Sequence, residues 1–158
     1  GPRGTGIICA RSDELKDVTP TIPTFSEATQ FSTVMTYGGY HSFEHRWALT
    51  EAFKLHLDLG KAEVQARIHE INSYLKKRLQ EHPSVELVTP LSPEYSAGFT
   101  FFRIKGQDCE EVANYLMDQR VVCDAVDRDV GPIIRVSPGL LNTEAHIDKL
   151  MELMASKL

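Results

Sequence analysis

The chain has 158 residues, 42% of them apolar and 25% charged, with a formal net charge of −5. That balance belongs to a globular domain large enough for a core of its own, and the acidic excess argues against a general nucleic-acid binder, which carries a basic patch. No apolar run approaches the roughly 18 residues of a membrane helix and no signal-peptide pattern opens the chain, so no membrane association is expected.

The three cysteines, Cys9, Cys109 and Cys123, are odd in number and lack CxxC spacing. They are expected to be reduced, inert core thiols in a cytoplasmic protein. No run of Lys, Arg or His surrounds any of them to mark a low-pKa nucleophile.

The chain opens on Gly1-Pro2-Arg3-Gly4-Thr5-Gly6. A first residue of Gly is not a natural start, so the sequence is expected to be part of a longer protein. Three glycines in six residues let the backbone turn tightly or approach a ligand, and the pattern fits neither the Walker loop nor the dinucleotide fingerprint. The apolar run Ile7–Ala10 is expected to form a buried strand. From Arg11 to Tyr40 no periodicity appears, and Pro20, Pro23 and Gly38-Gly39 punctuate the stretch. So long an irregular segment is expected to pack on a body outside these residues.

From Ser42 the pattern turns helical, with Phe43, Trp47, Phe53 and Leu57 on one stripe widened by Ala48, Ala52 and Leu55. Gly60 interrupts it. Val64, Ile68, Ile71, Leu75 and Leu79 then repeat at helical spacing until Pro83. Short strands are expected at Val85–Val88 and Gly98–Ile104, separated by a turn-rich stretch. Asp108 and Glu111 form a capping-box pattern for a helix that buries Val112 and Leu116. Strands at Val121–Ala125 and Ile133–Val136 follow. Asn142-Thr143 caps a last helix with Ile147, Leu150, Met151, Met154 and Leu158 inward. The expected order is a long helix followed by ββαββα, an α/β domain.

Two places could carry chemistry. His41 and His45 are four residues apart around Glu44, but the pattern is not HExxH and no third ligand is evident, so no metal is expected. Arg135 lies among apolar neighbours in Ile133-Ile134-Arg135-Val136-Ser137-Pro138. Its planar fork suits a bidentate carboxylate; a structural salt bridge or an outward-facing edge position explains it equally well on chemistry alone.

Together these segments resemble the aminotransferase class V family of fold-type I pyridoxal-phosphate (PLP) enzymes. Gly1-Pro2-Arg3-Gly4-Thr5-Gly6-Ile7 is similar to the segment that follows the family's PLP-binding lysine. Gly38-Gly39-Tyr40-His41-Ser42-Phe43-Glu44-His45-Arg46-Trp47-Ala48-Leu49 resembles the entry to the long interdomain helix in an isopenicillin-N-epimerase-like subgroup. Arg135-Val136-Ser137-Pro138 with Leu141-Asn142-Thr143 resembles the family's Arg-x-Ser…Asn-Thr signature. The match runs through nearly the whole chain in order.

The resemblance implies that 1–41 are a remnant of the large PLP-binding domain and that 42–158 form the C-terminal small domain with its interdomain helix. It makes Arg135 the residue that holds the substrate's α-carboxylate. It places Gly39, Tyr40, His41 and Ser42 near the PLP phosphate, in the family commonly in the partner subunit's site, with Tyr40 standing where the family often has threonine. It implies a homodimer, an amino-acid substrate and an aminotransferase or epimerase reaction. The catalytic lysine would lie upstream, so the chain alone is expected to be inactive, with no catalytic residue of its own and the N-terminal part missing or present as a separate chain. A cysteine desulfurase or carbon–sulfur lyase is the alternative within the superfamily; the segment 124–131 has no cysteine, which counts against it. A non-catalytic αβ interaction domain is the alternative outside it.

Overall fold

The computed structural model describes residues 3–7, 9–11, 14 and 42–156. The chain divides into two compact units, Gly1–Asp58 and Leu59–Leu158.

In the first unit Arg3 and Gly4 form a turn, and Gly4 takes φ +76°, a conformation that favours glycine. Ile7, Cys9 and Ala10 are exposed and in no strand. The expected buried strand is therefore not seen among the described residues, and Ile8 lies outside them. Cys9 is exposed rather than a core thiol. Apart from Arg11 and Glu14, the irregular stretch up to Tyr40 lies outside the described residues.

Helix α1 spans Phe43–Leu59. Ser42 caps it: its Oγ accepts the His45 N–H at 3.4 Å and donates to Glu44 Oε2 at 2.8 Å. A backbone N–H, then the Ser42 hydroxyl, hold the Glu44 carboxyl below its ordinary pKa. No residue of α1 is buried, and Trp47 is 72% exposed. The apolar stripe is real in spacing and has no core of its own to enter.

The second unit begins at Leu59, and Gly60, at φ +85°, breaks the helix. Helix α2 (Lys61–Gln80) follows, then strands β1 (Val85–Leu87) and β2 (Thr100–Ile104), helix α3 (Cys109–Asp118), strands β3 (Asp124–Arg128) and β4 (Gly131–Val136), and helix α4 (Glu144–Met154). The ββαββα order is as expected. The four strands form one antiparallel sheet in the order β1-β2-β4-β3.

Strand alternation sends Phe102, Ile104, Ile134 and Val136 to one face, where they meet Ile71, Leu75 and Leu79 of α2, Val112 and Leu116 of α3, and Ile147, Leu150, Met151 and Met154 of α4. Each fully buried aliphatic side chain contributes about 1.5–3 kcal/mol relative to exposure. The predicted faces of α3 and α4 are thus core faces, as is the Ile71, Leu75 and Leu79 part of the α2 stripe, while Val64 and Ile68 are half-buried outside the core and Leu158 lies outside the described residues.

The caps explain the helix limits. The Asp108 side chain accepts the Glu110 and Glu111 N–H groups, both at 2.9 Å. At the far end of α3, Arg120 takes φ 64° while its N–H reaches Met117 O and the Val121 N–H reaches Leu116 O, both at 2.9 Å. That is a Schellman ending. It occupies Val121, and so β3 begins at Asp124 rather than at the expected Val121.

Candidate carboxylate-binding site

On β4 the residues alternate, so that Ile134 and Val136 enter the core while Arg135 turns to the opposite face of the sheet. Antiparallel register places Asp124 of β3 directly opposite Arg135, and Phe101 of β2 on its other side. Arg135 Nε donates to Asp124 Oδ1 at 2.9 Å and Nη2 donates to Asp124 Oδ2. One side edge of the guanidinium is therefore held by a bidentate carboxylate. The plane is held as well: Arg135 Cζ lies 5.7 Å from the centroid of the Phe99 ring, which stacks on Phe101 at 6.2 Å. The hydrogen bonds and charge of Asp124 push the Arg135 pKa above its ordinary value, with desolvation acting weakly against them.

Arg135 opens onto a groove of about 990 Å³ at the end of β4. Phe99, Val121, Ser137, Asn142 and His146 are among its walls. Asp124 takes Nε and one Nη2 hydrogen, and a guanidinium has five N–H donors, so the end-on edge formed by Nη1 and Nη2 retains donors for a second carboxylate.

The segment after Arg135 is fixed from α2. The Asn72 side chain, 1% exposed, donates to Pro138 O at 3.2 Å and to Ile68 O at 2.9 Å, and accepts from Thr100 Oγ1 at 3.3 Å. Arg67 Nη2 donates to Asn142 O at 2.7 Å, and Asn142 Oδ1 accepts the Gly139 N–H at 2.9 Å. The Thr143 N–H donates to His146 Nδ1 at 3.1 Å as α4 begins.

Of the residues expected near a cofactor phosphate, Gly39, Tyr40 and His41 lie outside the described residues. Ser42 is described, and its hydroxyl donates to the Glu44 carboxylate. In this structure the hydroxyl serves as a helix cap, between the His45 N–H and the Glu44 carboxylate. His45 is exposed, and no group of three His, Cys, Asp or Glu side chains suited to a metal occurs among the described residues. No described helix is long and apolar enough to cross a membrane.

Sequence reasoning singled out Arg135 and missed Asp124 and Phe99. The pairing follows from a two-residue turn at Asp129-Val130, closed by Gly131 at φ +86°. Counting outward from that turn would have matched Asp124 with Arg135. Asn72, in the middle of an apolar helix stripe, was the signal for the α2 anchor, since a buried amide needs partners on neighbouring segments.

Residues 64–154, more than half of the chain, match the family described as kynureninase C-terminal domain. The chain belongs to the kynureninase C-terminal domain family. The matched stretch of this kynureninase-type domain holds most of α2 and everything that fixes Arg135, including Phe99, Asp124 and Asn72.

The chain is also similar to isopenicillin N epimerase of Streptomyces clavuligerus, 30% identical over 109 residues. Those residues are 67% of this chain and 27% of the relative, so the chain spans about a quarter of that protein's length. Among solved structures it is similar to the apo cysteine desulfurase of Thermococcus onnurineus NA1, with a TM-score of 0.69 at 15% identity, covering 78% of this chain and 32% of that one. It is similar also to a C-DES mutant with glycine covalently linked to the PLP cofactor, with a TM-score of 0.68 at 20% identity, covering 77% and 31%. Likeness at these identities shows the fold: a mixed αβ small domain with a four-stranded antiparallel sheet, as in fold-type I PLP-dependent enzymes.

Proposed function

We propose that this chain is the C-terminal part of a PLP-dependent enzyme acting on an amino acid, of the aminotransferase or epimerase type, in which Arg135 binds the substrate's α-carboxylate. The observation that carries the reading is the family match over a stretch whose one arginine at the end of β4 is held in plane and edge beside an open groove. When bound, PLP supplies an electron sink for charge that develops beside the amino acid's nitrogen. The contribution of this chain is orientation. A guanidinium held by Asp124 and Phe99 grips a carboxylate through two parallel N–H bonds and so fixes which substituent faces the reacting centre.

In this reading residues 1–41 belong with the PLP-binding domain, and the Gly39–Ser42 segment lies beside the cofactor phosphate, offering backbone N–H groups, in a homodimer of cytoplasmic location. The Schiff-base lysine comes from outside these residues, and the chain alone is inactive. The desulfurase alternative asks for a reactive thiol. Against it, the segment 124–131 that leads to Arg135 has no cysteine, and Cys109 and Cys123 are buried.

The test uses the protein that contains this chain at full length. It is expected to purify with PLP bound through a lysine, and its cofactor absorbance is expected to change when α-amino acids are added, while the 158-residue chain given PLP shows neither signal. A full-length protein that neither retains PLP nor responds to any amino acid contradicts the reading.

A further inference from the structure

We infer that Asp124 is a positioning residue for substrate carboxylate binding: it sets the guanidinium of Arg135 so that the end-on Nη1/Nη2 edge faces the groove. The inference rests on the proposed role of Arg135.

An arginine at the end of a strand has a long side chain with about 2 kcal/mol of rotamer entropy to lose on binding a ligand. Here much of that freedom is already removed. Asp124 holds the Nε/Nη2 edge, and the Phe99 ring lies against the guanidinium face. Rotation about the last side-chain bonds would break a bidentate pair, so the remaining edge has a fixed direction. Phe99 is itself placed by its stack on Phe101, which sits beside Arg135 in the β2–β4 register.

The arrangement opposes two effects. The Asp124 charge lowers the positive potential that a second carboxylate meets, while the pair pre-orients the donors it will use. Arg135 and Asp124 are both partly exposed, at 34% and 45%, so solvent screens the repulsion. Orientation is not screened. The geometry therefore points to a net gain in carboxylate affinity from Asp124, although it carries the same charge as the ligand.

The probes are L-alanine, followed through the cofactor absorbance of the full-length protein, and propionate, a carboxylate without the amine, followed by titration calorimetry. Asp124→Ala is expected to weaken both by about tenfold, with the cofactor content and the end-point absorbance change of wild type. Asp124→Glu, which keeps a carboxylate within reach of Arg135, is expected to recover most of the loss. A merely structural role would instead reduce PLP content and give Asp124→Glu no advantage.

Tighter or unchanged propionate binding in Asp124→Ala, with Arg135→Ala clearly weakened, overturns the inference and leaves the reading of Arg135 standing. Unchanged binding in Arg135→Ala, or a wild type that binds neither probe, overturns both.

Discussion

The ammonium of Lys76, only 2% exposed, donates to Ser96 Oγ at 2.7 Å and gives its remaining hydrogens to the carbonyls of Pro90 at 3.0 Å and Leu91 at 2.9 Å. No carboxylate shares this site among the described residues; each N–H has a neutral oxygen instead. The lysine thereby ties α2 to the connection between β1 and β2, the connection that delivers Phe99 to Arg135.

Lys76→Met is expected to destabilise the domain by about 1–3 kcal/mol, because carbonyls ordered around the ammonium lose their donor while part of the desolvation cost is relieved. Denaturant midpoints measure this. The pH dependence has a defined sign. Burial lowers the Lys76 pKa below the ordinary 10.5, so the folded chain gives up the proton before the unfolded one does. Wild type should therefore gain stability relative to Lys76→Met as pH rises through that lowered value toward 10.5. A difference that shrinks over this range would contradict the assignment.

Asn72 bridges α2, β2 and the segment after β4 through its bonds to Ile68, Thr100 and Pro138. Asn72→Leu is expected to cost about 2–3 kcal/mol by leaving Thr100 Oγ1 and Pro138 O unsatisfied. Adding Thr100→Val should recover part of the loss, since replacing both partners removes the orphan on β2. Thermal or urea unfolding of the two single variants and the double variant gives the coupling; strict additivity would show that the two groups act independently.

Arg120 holds the left-handed position that ends α3. Arg120→Gly is expected to stabilise by about 0.5–1 kcal/mol, the relief of left-handed strain outweighing the entropy that glycine adds to the unfolded chain. A loss of stability would mean that the arginine side chain contributes more than its backbone strain takes away.

The cysteines should separate by accessibility. Cys9 is exposed, while Cys109 and Cys123 are buried. A thiol reagent is expected to modify Cys9 within the native protein and the other two only on unfolding. Burial raises the pKa values of Cys109 and Cys123 above 9.0, so both groups contribute stability that is intact below 9.0 and lost as pH climbs through their folded values. Cys123→Ala should flatten that alkaline decline.

Much of the second unit was legible because its helices read on one face. Ile71, Leu75 and Leu79 keep a spacing that only a helix satisfies, and Asp108 and Thr143 announce helix starts through local hydrogen bonding. Strand limits were harder. Val121 and Val122 look like strand residues, yet the Schellman ending takes Val121 and leaves Val122 exposed. Phe43, Trp47 and Leu57 have helical spacing, but spacing alone does not say what a stripe packs against, and in α1 these residues are exposed. At the site the arginine was legible and its partner was not. Asp124 and Arg135 are eleven residues apart, and only the hairpin register makes them neighbours.

The central claim is that Arg135 binds the amino acid by its carboxylate. The most direct measurement is the steady-state kinetics of Arg135→Ala in the full-length protein, with PLP content checked alongside. The account predicts a KM raised by about tenfold to a hundredfold, about 1.4–2.7 kcal/mol of lost binding, with PLP bound as in wild type. An unchanged KM would contradict it.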